Sequence, residues 1–127
     1  MTQKLFALML ALIITVTWIG MSAAQHTATG QVLRVFTTTV LPDKRDQLPK
    51  IVDEMTQLLA ATKAIHWFKV GSDPATGEIV AVMLWNSQAD IDAFVKSDAR
   101  KSFVEKTRPL MQGEPSGKNY HVAAAKK

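Results

Sequence analysis

The sequence predicts an α+β domain, an antiparallel sheet of four strands with helices packed on one face. Three observations predict it. Ile79 to Trp85 is apolar without a break and then meets Asn86-Ser87-Gln88, so a strand runs straight into a helix. Gln31 to Val40 alternates and is rich in β-branched residues, which is the pattern of a strand. Leu48, Ile51, Val52, Met55, Leu58 and Leu59 recur at the i, i+3, i+4 spacing of an amphipathic helix.

The remaining elements follow in order. Leu41-Pro42-Asp43 ends the first strand, and the first helix is expected to start near Asp46 as N-cap, with Pro49 in the first turn, where a missing N–H costs little. Ala64 to Val70 is a second strand, and Gly71 to Gly77, dense in turn residues, joins it to the Ile79 strand as a hairpin. Ser87 caps the second helix, with Asp90 completing a weak capping box and Ile91, Phe94 and Val95 as its apolar stripe. A break is expected at Lys96-Ser97-Asp98. Helix then resumes over Arg100 to Thr107 with Phe103 and Val104 inward, and Pro109 closes it. Gly113 to Gly117 is a loop and Asn119 to Ala124 the last strand. The order β-α-β-β-α-β is the split, ferredoxin-like arrangement.

The N-terminus is of another kind. Lys4 precedes an uncharged run from Leu5 to Ala24 that ends in Ser22-Ala23-Ala24. A basic start, an apolar core and small residues at the end describe a secretory signal peptide, cleaved after Ala24. The competing reading is an uncleaved anchor, since about 20 apolar residues span a bilayer. Only in that form is a membrane a partner. In either case the domain, residues 25–127, is expected outside the cytoplasm, periplasmic or secreted.

Composition narrows the chemistry. The chain has no cysteine, so disulfides, thiol catalysis and cysteine metal sites are excluded. The net charge is +4, but the basic residues are scattered and form no stripe, so no nucleic-acid partner is expected. The three histidines, His26, His66 and His121, have no ligand spacing, and no metal is expected.

The Ile79 strand is apolar on both faces. Alternation puts Ile79, Ala81, Met83 and Trp85 on one and Val80, Val82 and Leu84 on the other. Helices cover one row. The second row needs another cover, and a two-fold homodimer with sheets packed face to face supplies it.

The run Gly77-Glu-Ile-Val-Ala-Val-Met-Leu-Trp-Asn-Ser87, followed by Phe94-Val-Lys-Ser97, resembles the antibiotic biosynthesis monooxygenase (ABM) family of dimeric α+β barrels. Trp85 and Ser87 match the family's strand-end Trp and the Ser two residues on. The resemblance extends over roughly Gln31 to Ala124. It implies the sheet-to-sheet dimer and an activity among cofactor-independent oxygenases of aromatic or quinol-like substrates, haem-degrading enzymes, or domains that only bind. Many quinol-oxidising relatives carry His nine residues after the Trp, and some a second His fourteen after; this chain has Phe94 and Ala99. Haem-degrading relatives carry Trp at the first of these positions, His nineteen after the strand-end Trp, and an Asn in the first strand. This chain has Phe94, Val104 and no Asn between Arg34 and Thr39.

A cofactor-free oxygenase needs an apolar pocket and a polar group that holds an ionised substrate. His66 and Arg34 are the candidate catalytic groups. Trp67, Trp85, Phe36, Phe94, Met83 and His121 are the candidates for binding a small aromatic or apolar molecule. No metal, flavin or haem is expected. Ordinary packing competes with each role: a half-buried strand histidine for His66, a cross-strand ion pair with Asp or Glu for Arg34, a core or interface anchor for Trp85. The alternative function is a non-catalytic dimer of the cell envelope that holds a small ligand in the same pocket.

Overall fold

The computed structural model describes residues 30–124. The signal-peptide or anchor reading of Met1 to Ala24 lies outside the described residues.

The strands are β1 (Val32–Thr39), β2 (Ile65–Asp73), β3 (Glu78–Trp85) and β4 (Ser116–His121); the helices are α1 (Leu48–Ala60), α2 (Gln88–Lys96) and α3 (Asp98–Thr107). The strands form one sheet of order β2-β3-β1-β4, and every neighbouring pair is antiparallel. This is the ferredoxin-like α+β fold.

Register decides the faces. Val32, Arg34, Phe36 and Thr38 of β1 lie opposite Trp85, Met83, Ala81 and Ile79 of β3. On this side Val32, Ile79 and Trp85 are 0% exposed, and they pack with Leu48, Ile51, Met55, Leu59 and Ile91 from the helices. The other row, Leu33, Val35, Val80, Val82 and Leu84, is only half-buried. Trp67 and Tyr120, each 46% exposed, flank it.

Three boundaries differ from expectation. Asp46 does not cap α1. It lies in a 3-10 turn, Pro42–Gln47, that runs directly into the helix and delivers Leu48 to the core. The residue at the cap, Gln47, makes no side-chain cap hydrogen bond, and Pro49 stands in the first turn as expected. Gly71-Ser72-Asp73 belongs to β2, because these residues pair with Val80, Ile79 and Glu78, and an edge strand tolerates turn-type residues. The turn proper is therefore short. Arg45 holds it, donating from Nη1 to the Ala75 carbonyl at 2.8 Å and from Nη2 to the Thr76 carbonyl at 3.2 Å. Gly77 ends the turn at φ +78°, and a Cβ there would fall 2.8 Å from the Val40 carbonyl oxygen. The last strand begins at Ser116 and ends at His121, since β1 offers partners from Thr37 back to Val32.

The helix signals hold. Ser87 Oγ accepts from the Asp90 N–H at 3.2 Å and donates to the Asp90 carboxylate at 2.9 Å. The expected break is at Ser97, whose backbone is extended at φ −68°, ψ 148°. Its hydroxyl donates to the Phe94 carbonyl at 2.7 Å and accepts from the Arg100 N–H at 3.3 Å. One side chain thus ends α2 and starts α3. Among the described residues no helix is long and apolar enough to cross a membrane.

Candidate functional site

A cleft opens between the helices and the inner face of the sheet. Its inner chamber, about 50 Å³, is lined by Arg34 and Phe36 of β1, Ala81 and Met83 of β3, Met55, Leu58 and Leu59 of α1, Phe94 and Val95 of α2, and Arg100, Phe103 and Val104 of α3. An outer chamber of about 170 Å³ shares Phe36, Met55, Arg100, Phe103 and Val104 and adds Thr38, Thr107, Arg108, Met111 and the loop from Gly113 to Pro115. The walls are apolar. The polar groups of the inner chamber are two guanidinium groups, and none of its lining residues is acidic.

Arg34 reaches the cleft because β1 alternates and the helix-facing row includes it. Its Nη1 donates to Asn119 Oδ1 at 2.7 Å, across the β1–β4 register in which Arg34 faces Asn119. Asn119 Nδ2 donates in turn to Gln88 Oε1 at 3.2 Å, and Gln88 Nε2 to Asp92 Oδ1 at 3.1 Å. The guanidinium passes over Gly117; a Cβ there would fall 2.8 Å from Arg34 Cζ. The expected acidic partner is therefore an amide, and the Arg34 charge meets no carboxylate among the described residues. Burial, and then the neighbouring Arg100, hold Arg34 below the ordinary arginine range. Arginine nonetheless stays charged in proteins. The side chain of Arg100 makes no ion pair among the described residues.

The sequence candidates divide. Arg34, Phe36, Met83 and Phe94 meet at the inner chamber. Trp85 stands behind it: fully buried, with its ring 5.1 Å from the Phe94 ring at 54°, it backs the wall rather than lining it. Its Nε1 is buried without a hydrogen-bond partner among the described residues. His66, Trp67 and His121 are not in the cleft wall. β2 bulges between Ile65 and Trp67, which leaves His66 exposed on the edge strand and puts Trp67 opposite Leu84 on the other face. His121 lies opposite Val32 at the exposed end of β4.

Arg100, Asn119 and Gly117 were not among the candidates. Arg100 had a signal: it stands at i, with Phe103, Val104 and Thr107 at i+3, i+4 and i+7, on the inward stripe of α3. Asn119 and Gly117 share the period-2 face of β4, but only the pairing with β1 reveals what they touch.

Residues 31–106 match the family described as antibiotic biosynthesis monooxygenase. The chain belongs to that family. Solved structures carry the same fold at low identity. A Deinococcus radiodurans protein bearing the ABM name is 11% identical over 76% of this chain and 96% of its own, with a TM-score of 0.66. A Caulobacter crescentus protein of the same name is 18% identical over 77% and 94%, with a TM-score of 0.65. A Mycobacterium tuberculosis protein is 16% identical over 76% and 97%, with a TM-score of 0.62. At these identities the likeness is one of fold. A comparison with curated proteins finds no match.

The positions at which the family resemblance leads one to expect histidine or Trp are Phe94, Ala99 and Val104, of which Phe94 and Val104 line the inner chamber. They offer no iron ligand and no base. The residues present do not fit haem.

Proposed function

We propose that this ABM protein is a cofactor-independent oxygenase of a small phenolic or quinol-like aromatic. One observation carries the reading: Arg34, half-buried and without an acidic partner among the described residues, lines a cleft whose walls are otherwise apolar save for Arg100. The reading is supported by size as well. The outer chamber is comparable to a cavity of about 150 Å³ that holds benzene, and the inner one suits a substituent of the ring.

A phenol tautomerises and reacts with oxygen far faster as its anion, because the anion gives up an electron readily. Arg34 would hold the phenolate oxygen and favour ionisation by its charge, an electrostatic role of the oxyanion-hole type. Phe36, Met83 and Phe94 would hold the ring and exclude water. For 1-naphthol the balanced reaction is naphthol plus dioxygen to 1,4-naphthoquinone plus water. The phenolate passes one electron to dioxygen, the two radicals join at the para carbon, and the hydroperoxide loses water as the carbon gives up its proton. The substrate supplies all four electrons; the phenolic proton leaves to solvent on ionisation, and one proton returns from solvent to the peroxide anion to make the hydroperoxide.

The same proposal places the protein outside the cytoplasm after loss of Met1 to Ala24 and pairs two copies through the open sheet face. The intact mass of the exported protein tests the first, and sedimentation the second.

The deciding experiment is oxygen uptake by metal-free protein with hydroquinones and naphthols, beside a no-enzyme control. Uptake is expected above background and about 100-fold lower in Arg34→Ala, the scale of losing one anion-stabilising donor. The exposed His66→Ala variant should stay within about twofold. Uptake unaffected by Arg34→Ala would overturn the assignment. Phe94, where relatives place a histidine, favours a second reading, binding without turnover; tight naphthol binding with no uptake would select it.

A further inference from the structure

We infer that the cleft is built for an aromatic carrying a second anionic group, a hydroxyaryl carboxylate rather than a neutral phenol. The inference rests on the proposed reading for the phenolate but adds a separate site, Arg100.

The two arginines have different places. Arg34 lines the inner chamber alone, whereas Arg100 lines both chambers and stands where they meet. Each is half-buried, neither has a carboxylate partner among the described residues, and Arg100 makes the Arg34 charge less favourable. Two unpaired guanidinium groups facing one apolar cleft are costly unless an anion sits between or against them. A phenolate satisfies one. A carboxylate on the same ring system satisfies the other, because its paired oxygens match the planar guanidinium fork. The outer chamber leans the same way: Arg108 joins Arg100 there, against the single exposed Glu114.

Positioning supports the division. Arg34 is held by Asn119 at 2.7 Å, which aims it, and its other N–H groups have no hydrogen-bond partner among the described residues. Arg100 is placed by Ser97, which caps its helix and ties off α2 at Phe94. The ring wall and the second cation are thus set by one hydroxyl. An orientation follows: phenolate at Arg34, carboxylate at Arg100, where the two chambers meet.

The test uses unreactive ligands first. Calorimetry compares 1-naphthoate with its neutral relative 1-naphthylmethanol on the purified protein at low and high salt. Naphthoate is expected to bind at least about tenfold tighter, the scale of one charge-assisted pair, with the advantage shrinking in salt. Arg100→Gln should erase most of that preference and Arg100→Lys restore part of it. Thermal melts of each variant separate loss of binding from loss of fold. Equal binding of the two ligands, or a preference that survives in Arg100→Gln, overturns the inference. Oxygen uptake then asks the second question. With 5-hydroxy-2-naphthoate, whose two groups lie at opposite ends of the ring system, Arg100→Gln should raise KM about tenfold, and the KM for 1-naphthol should rise much less. Turnover of naphthol without any carboxylate preference would leave the oxygenase and remove this inference. A carboxylate preference without turnover would do the reverse.

Discussion

Gly117→Ala should unseat Arg34 without touching its charge. Gly117 pairs with Phe36 on the helix side of the sheet, beside Asn119. An alanine Cβ there would stand 2.8 Å from Arg34 Cζ, well inside contact distance, so the guanidinium must move away. Moving it breaks the 2.7 Å bond to Asn119. A hydrogen bond to a charged group is worth about 1.5–3 kcal/mol. Replacing glycine in a strand returns about 0.5–1 kcal/mol of backbone entropy. The net expectation is a loss of about 1–2 kcal/mol, or about 5–10 °C in Tm for a domain near 100 residues. Urea and thermal unfolding measure it. Asn119→Ala in the Gly117→Ala background should then cost much less than it does alone, because the bond is already gone. Additive losses, or a Gly117→Ala protein as stable as the parent, would refute the seating of Arg34 over Gly117.

Other perturbations probe the frame. Ser87→Ala removes the hydroxyl that caps α2 and should cost about 1 kcal/mol in urea unfolding. Ile79→Ala empties a site that is 0% exposed between sheet and helices and should cost about 3–4 kcal/mol. Lys106→Ala breaks the 2.9 Å pair with Glu54, but the lysine is 60% exposed, so the loss should stay below about 1 kcal/mol. Val82→Lys puts a charge in the middle of the open sheet face. If copies pair through that face, sedimentation should find a monomer where the parent is a dimer, and an unchanged dimer would place the pairing elsewhere.

Much of the fold was legible because its strongest signals are local. The unbroken run from Ile79 to Trp85, the Ser87 cap and the Ser97 break each depend on neighbours within a few residues. The site was less legible because it depends on register. Arg34 was singled out by residue type, as a group able to hold an anion, yet its competing partner was expected to be acidic; Asn119, 85 positions away, became visible only through strand pairing. His66 was expected to be mid-strand and half-buried, whereas it stands exposed at the irregularity of the edge strand. Hydropathy carries no mark of the irregularity after Ile65, which shifts every following side chain by one face. Arg100 was counted only among the scattered basic residues, although its spacing to Phe103 and Val104 already set it on the inward stripe.

That same irregularity in β2 has a consequence for assembly. Sheets invite growth in two directions, through their faces and along their margins. The margin formed by β2 is bent at Ile65–Trp67 and carries exposed Lys69 and Asp73, while the opposite margin, β4, is only 6 residues long and holds Lys118. Bent, short and charged margins are poor templates for a further strand. An apolar broad side with inhospitable margins permits association that closes on itself and resists the open-ended stacking that leads to fibres.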